Sequence, residues 1–173
     1  RKILKNKRLI GAIVVKNDLA VQSFGYKKYL PLGKPEIIAE NFNRWGADEI
    51  LLICIDRKDK GPNLHLVSRI AKKGLTTPLI YLGGIRDVKD AKNVILSGAD
   101  RIAVDNILHS EPNRCEEISN IIGSQAILAA MPLSIHKNKL LWYNYKTNKL
   151  LSLTNKLKDL IKNKFISEII VID

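Results

Sequence analysis

Six short apolar runs, at 9–15, 50–55, 78–82, 102–104, 126–131 and 169–172, constrain the fold more than anything else in the chain. Most are apolar throughout rather than alternating, which is how strands covered on both faces read. Between most of them lie 10 to 14 residues with helical period, as in Val88, Ala91, Val94 and Ile95, which share one helix face. Strand and helix alternate, so a parallel sheet packed with helices is expected. Pro35 suits a first helical position, Asp87 and Asp90 resemble a capping box, and Gly46, Gly98 and Gly123 fall where helices should stop. The segment 137–153 breaks the pattern. Leu140, Trp142, Tyr145 and the turn Lys146, Thr147, Asn148 suggest a hairpin inserted after the fifth strand, followed by a helix at 154–164.

An internal repeat narrows the architecture. Trp45, Gly46, Ala47, Asp48, Glu49, Ile50 is echoed by Ser97, Gly98, Ala99, Asp100, Arg101, Ile102, and more faintly by Ile166, Ser167, Glu168, Ile169. The first two copies lie 52 residues apart, or two strand–helix units of about 26 residues, as a barrel of repeated units requires. A doubly wound open sheet is the alternative, but no glycine-rich dinucleotide fingerprint follows the first strand. The expected fold is therefore α/β, a (β/α)8 TIM barrel. Such a barrel needs about 250 residues, and 173 are present. The chain begins at Arg1 rather than Met and stops at Asp173, directly after an apolar run. It reads as one partial domain over 1–173, truncated after about six strands. Alone, it is expected to leave open sheet edges and to be poorly soluble.

No apolar stretch approaches the roughly 18 residues of a membrane span, and no leader resembles a signal peptide. A cytoplasmic protein without membrane contact is expected. Cys54 and Cys115 form no CxxC pair and have no histidine at metal-ligand spacing, so both read as reduced thiols, with no metal or cofactor implied. The formal charge of +12 favours anionic partners. Its lysines are scattered, however, and no nucleic-acid-binding motif accompanies them, so nucleic acid is not the expected partner.

In these barrels polar groups at the C-terminal ends of the strands form the active site. That rule selects Lys16, Asp56, Gly83 with Gly84, Asp105 with Asn106, and Asp173. The glycine pair is either a phosphate-approaching turn before the helix capped by Asp87 or a plain turn. The segment 17–34 carries Phe24, Tyr26 and Tyr29 beside Lys27 and Lys28 and reads as a long loop, either a lid over substrate, a plain surface loop or a nucleic-acid contact. At the opposite end a charged residue immediately precedes four strands: Arg8, Glu49, Arg101 and Glu168. These are either ordinary exposed strand-start charges or a ring whose alternating signs neutralise one another.

Taken in order, Arg8, Leu9, Ile10, then Val15, Lys16, then Gly46 to Glu49, then Gly83, Gly84, Ile85, Arg86, then Gly98, Ala99, Asp100, and Gly123, Ser124, Gln125 resemble the cyclase subunit of imidazole glycerol phosphate synthase. The resemblance runs from about Lys7 to the end, and the hairpin after the fifth strand fits it. It implies a ribulose-phosphate-binding type of barrel with lyase/cyclase activity in histidine biosynthesis. A glutaminase partner, forming a heterodimer, would dock at the N-terminal face and pass ammonia through the barrel. On this resemblance Arg8, Glu49, Arg101 and Glu168 take the places of the family's ammonia gate, all with the family's sign, and Asp100 and Gln125 become candidate partner contacts.

The other end departs from the family. Its general acid and base are aspartates ending the first and fifth strands, and here those places hold Val14 and Pro132, neither of which can transfer a proton. Their neighbours Ile13, Val15, Met131 and Leu133 are apolar too, so a slip of one residue changes nothing. Gly84 matches the phosphate site, and Lys16, Gly83 and Asn106 join it as candidate substrate-binding residues. Asp105 stands where the family favours asparagine, Asn106 where it favours threonine, Cys54 in place of the usual second-strand aspartate, and Gln22 near the lid lysine's place. Asp56 and Asp105 remain the candidate catalytic carboxylates. Two readings follow: a diverged amidotransferase subunit delivering ammonia to a phosphorylated or sugar substrate, or a non-catalytic scaffold supporting a glutaminase. For the first, the nearest precedent is the branch that makes acetamidino groups on bacterial surface polysaccharide sugars, which also departs from the first-strand aspartate.

Overall fold

A computed structural model of the chain describes residues 7–24, 27–144 and 147–172. Tyr26, Tyr145, Lys146 and Asp173 lie outside the described residues. Six parallel strands form the framework: β1 (Ile10–Lys16), β4 (Glu49–Cys54), β5 (Leu79–Leu82), β6 (Arg101–Val104), β7 (Ile127–His136) and β10 (Glu168–Ile172), neighbours in that order. The helices between them are α1 (Pro35–Arg44), α2 (Leu64–Ala71), α3 (Val88–Leu96), α4 (Asn106–Ser110), α5 (Asn113–Ile122) and α6 (Asn155–Lys162).

Two apolar layers follow from the two faces of each strand. Outward residues such as Ile13, Val15, Ile50, Leu52, Ile102, Ile127 and Ala129 pack on the helices through Leu66, Ile70, Val94 and Ile118. Inward residues Leu51, Ile80, Leu82, Ala103, Leu128 and Ala130 form a second cluster, with Ile53, Ile170 and Ile172 against it. A strand apolar on both faces therefore has two cores to fill. Each fully buried leucine or isoleucine contributes about 1.5–3 kcal/mol.

The sheet is bent into an arc, and one ion pair demonstrates it. From β1 to β10 there are five inter-strand steps, which in a flat sheet separate the outer strands by about 24 Å. Yet Arg8, just before β1, places Nη2 2.7 Å from Glu168 Oε2 at the start of β10. No arginine spans a flat sheet of that width. The molecule is part of a (β/α)8 barrel rather than the doubly wound open sheet.

The repeat is a strand-start clasp. Gly46 and Gly98 end their helices at φ +77° and +114°. Two residues on, the Asp48 N–H donates to the Leu9 carbonyl (2.9 Å) while the Leu9 N–H donates to Asp48 Oδ2 (2.7 Å). Asp100 makes the same pair of bonds with Leu79, at 2.9 and 2.7 Å. In the third copy the Ser167 N–H and hydroxyl both donate to the Ile127 carbonyl, at 2.9 and 2.7 Å. Each clasp ties a strand to its neighbour on the side of lower number and fixes the inward face of the residue that follows.

The expectation of a loop over 17–34 is corrected. β2 (Leu19–Phe24) and β3 (Lys28–Gly33) form an antiparallel hairpin that turns back on β1. Asn17 and Asp18, at φ +50° and +60°, make the two-residue turn that right-handed strand twist favours. Pro31 is tolerated because β3 is an edge strand. Lys137 and Asn138, at φ +48° and +60°, repeat that turn between β7 and β8 (Lys139–Asn144), and β9 (Lys149–Ser152) completes a three-stranded antiparallel arm.

Candidate functional site

Arg8, Glu49, Arg101 and Glu168 stand on the inward parity of their strands, with Ala12 and Val14, Leu51 and Ile53, Ala103, and Ile170. They meet at the N-terminal end of the arc as a closed cycle. Glu49 Oε1 accepts from Arg8 Nη1 at 3.2 Å and Arg101 Nη1 at 3.3 Å. Glu168 accepts from Arg8 at 2.7 Å through Oε2 and lies 3.4 Å from Arg101 Nη2 through Oε1. Two positive and two negative charges cancel, which is the condition for burying any of them. The Glu49 side chain is 9% exposed and that of Arg101 14%, against 44% for Arg8.

The two arginines are not equivalent. Arg101 is also held by the Gln125 carbonyl at 3.0 Å and the Ser167 hydroxyl at 2.8 Å. Arg8 has hydrogen bonds only to the two glutamates among the described residues. Burial raises the affinity of Glu168 for a proton, but the Arg8 hydrogen bond and the Arg101 charge outweigh it and hold this carboxyl below its ordinary value. Glu49 Oε2 is buried and, among the described residues, has no hydrogen-bond partner. Ser167 is a ring-supporting residue the sequence reading passed over, although its place in the third repeat copy was the signal.

Beyond the cycle the inward surface is apolar up to Val14 and Pro132. Pro132 continues the parity of Leu128 and Ala130 and pairs with Ile172; Val14 pairs with Ile53. Val14 and Pro132 thus both stand on the inward parity of their strands. No carboxylate occupies either inward position.

The polar residues of the C-terminal end are placed as follows. Lys16 sits with its Nζ 4.0 Å from the centre of the Tyr29 ring, so the β2–β3 hairpin holds this cation. Asp56 Oδ2 accepts from the Asn17 N–H at 2.9 Å, fastening the end of β4 to the β1–β2 turn. Asp105 caps α4, accepting from the Asn106 N–H at 2.6 Å. Gln22 is exposed on β2. Gly83 and Gly84, at φ +146° and +68°, press on backbone: a Cβ on the first would lie 2.5 Å from the Cys54 carbonyl oxygen, and one on the second 2.6 Å from that of Arg57. The plain-turn reading of this pair therefore has a packing reason of its own. Asp87 Oδ1 caps Asp90 N–H at 2.8 Å, while Asp90 turns to Arg86 rather than completing a capping box.

Both thiols are buried, Cys54 beside Tyr81 on the outward face, and burial pushes each up to about 12. Neither is a nucleophile at neutral pH. Among the described residues no group of three or more His, Cys, Asp or Glu side chains gathers at a metal-holding spacing, and no helix is long and apolar enough to cross a membrane.

His109, on α4, is pushed down to about 4 by burial, from an ordinary value near 6.5. Between those pH values the unfolded chain binds the extra proton, so the folded state loses stability as pH falls through the window and levels off below it. Urea melts should show wild type weakening relative to His109→Gln from pH 7 to 4.5. A gap between the two that stays constant with pH contradicts this.

Four large apolar side chains at the N-terminal end were not singled out from sequence: Leu9, Trp45, Leu96 and Ile121 are 69%, 72%, 81% and 55% exposed. Leu9 stands just before β1, and the other three lie at the C-terminal ends of α1, α3 and α5, which end on the side where the strands begin. Exposed Asp100 and Gln125 share that side, but the Asp100 carboxylate is already engaged by Leu79.

Residues 8–173 match the family described as histidine biosynthesis protein. A putative imidazole glycerol phosphate synthase subunit hisF2 from Vibrio vulnificus (strain YJ016) is 33% identical over 146 residues, covering 83% of this chain and 53% of that protein. The HisF subunits of that synthase from Solibacter usitatus (strain Ellin6076) and Methanopyrus kandleri (strain AV19) are 30% identical over 132 residues and 32% over 127. These cover 75% and 72% of this chain, and 52% and 46% of theirs. The chain spans about half the length of the curated relatives it matches.

Proposed function

The chain belongs to the histidine biosynthesis protein family, as the match over residues 8–173 shows, and from that premise we propose that it is the ammonia-accepting, cyclase-like subunit of a glutamine amidotransferase. The observation that carries this is the closed cycle of Arg8, Glu49, Arg101 and Glu168 at the base of the apolar inward face of the arc. An apolar interior of this kind, once enclosed in the complete barrel, disfavours ammonium, whose charge is costly to desolvate, and favours neutral ammonia. Arg8, the more exposed of the two arginines and, among the described residues, the one held by nothing outside the cycle, is the member that moves. A glutaminase docks on the same end, against Leu9, Trp45, Leu96 and Ile121, with Gln125 and the outer edge of Asp100 at the contact.

The acceptor is a phosphorylated or sugar substrate at the C-terminal end, drawn by Lys16 and by the positive charge of the chain. Val14 and Pro132 argue that its chemistry is not the histidine-pathway cyclisation, and they favour the branch that builds acetamidino groups on surface sugars. Asp105 and Asp56 are the candidate carboxylates for that chemistry, and each is already engaged by a backbone N–H, Asp105 by that of Asn106. Asp56 is committed through one oxygen to Asn17.

The same two replacements favour a second reading, a scaffold that docks and activates a glutaminase without chemistry of its own. Glutamine labelled with 15N in its amide separates them. With the complete chain, a co-expressed glutaminase and an extract of small anionic metabolites, a labelled product supports the enzyme. Stimulated hydrolysis with all label released as ammonia supports the scaffold, and no stimulation at all rejects both.

A further inference from the structure

The largest fully buried side chain is Trp142, on β8 of the arm, 1% exposed and outside every role described above. Its indole stacks on the imidazole of His109, with centroids 3.3 Å apart and planes at 27°. Neither Trp142 Nε1 nor His109 Nε2 has a hydrogen-bond partner among the described residues. Buried tryptophan normally finds a partner for its N–H; the contact made here is through the ring face.

His109 belongs to α4, a helix of five residues. A helix that short has no stability of its own and exists only where tertiary contacts hold it. On its inner side Ile107 and Leu108 are buried in the helix-facing core. Beyond that layer, the described ring contact with the arm comes from His109. The first residue of α4 is Asn106 and its cap is Asp105, so whatever fixes α4 fixes the turn that follows β6 at the C-terminal end of the arc. The arm itself grows from β7 immediately beyond Pro132, at the same end.

We propose that Trp142 and His109 form a pin through which the β8–β9 arm orders α4 and, with it, the Asp105–Asn106 turn. They are positioning residues: neither touches substrate, and both act through the backbone they hold. An arm inserted after the fifth strand thereby sets the geometry of the residues at the end of the fourth. The importance of this for substrate rests on the reading of that turn as part of the acceptor site, but the pin itself does not.

Hydrogen exchange followed by mass spectrometry on the complete chain tests the pin without any ligand. In Trp142→Ala, exchange across 105–110 should accelerate by about tenfold or more while peptides of β4 and β5 keep their protection. Trp142→Phe, which keeps a stacking face, should recover most of the protection, and His109→Ala should reproduce the local loosening. Should Trp142→Ala fail to fold, His109→Ala against His109→Phe gives the same contrast at a less buried position. Unchanged exchange at 105–110, or an equal rise throughout the barrel, overturns the proposal. Titration with inorganic phosphate on the same samples is a separate arm: a wild type that binds none counts against the acceptor-site reading and leaves the exchange result standing.

Discussion

Replacing Glu49 with alanine is expected to lower stability by about 2–3 kcal/mol and to break the charge cycle. Removing one partner of a buried ion pair typically costs about 3–5 kcal/mol, because the remaining charge is stranded. Here the loss is smaller. Arg101 keeps Glu168, the Ser167 hydroxyl and the Gln125 carbonyl, and Arg8 is exposed enough for water to screen it. Denaturant melts measure the stability. Glu49→Gln, which keeps the shape, should retain more of it than alanine, and a Glu49→Ala protein as stable as wild type contradicts the pairing described.

The second large effect is steric. Gly83→Ala sets a Cβ 2.5 Å from the Cys54 carbonyl oxygen, at a backbone angle of φ +146° that side chains rarely adopt. The obstacle is backbone at the end of β4, which cannot swing aside as a side chain would. Local strain of about 1–3 kcal/mol and overpacking of about 1–3 kcal/mol add, so the variant should lose roughly 2–6 kcal/mol or fail to accumulate as folded protein. Gly46→Asn is the control. Gly46 also has positive φ but meets nothing within 4 Å, so asparagine there should cost no more than about 1 kcal/mol. Equal losses at the two sites would mean that φ alone, and not the contact with Cys54, makes Gly83 necessary.

How much of this was legible in the sequence depended on the range of the interaction. The six strands were visible because each has apolar residues on both faces, a signal carried by consecutive positions. The repeated Gly–Ala–Asp marked the clasp, since one local geometry recurs wherever a strand must be tied to its neighbour. The four charges were legible as strand-start residues. Their closure into a cycle required the curvature of the sheet, which no single segment encodes. The β2–β3 hairpin was missed although Asn17–Asp18 is a turn signal, because the length of 17–34 suggested a loop. α4 was missed because five residues show no period. The stack of His109 on Trp142 joins residues 33 positions apart in sequence, and neither carries a local mark of the other.

At the candidate acceptor end the sequence pointed to segments that follow the C-terminal ends of strands and left open what each does. Val14 and Pro132 were read as standing where the family has aspartates, and the structure sets both on the inward parity of their strands. Asp56 was read as a candidate catalytic carboxylate. The strand ends at Cys54, whose side chain packs outward, and the Asp56 carboxylate turns to Asn17. Carboxylates at strand ends are recruited to turns as readily as to chemistry, and only geometry tells the two apart.

The most direct test of a working ammonia entrance is the rate of glutamine hydrolysis by a co-expressed glutaminase in the presence of the complete chain, compared between wild type and Arg8→Ala. Arg8 is exposed and outside the hydrophobic core, so the variant should fold, and circular dichroism verifies that it does. Wild type should stimulate hydrolysis, and Arg8→Ala should bind the glutaminase with similar affinity while changing that rate several-fold. Identical rates for the two proteins would contradict a gating role for the charge cycle.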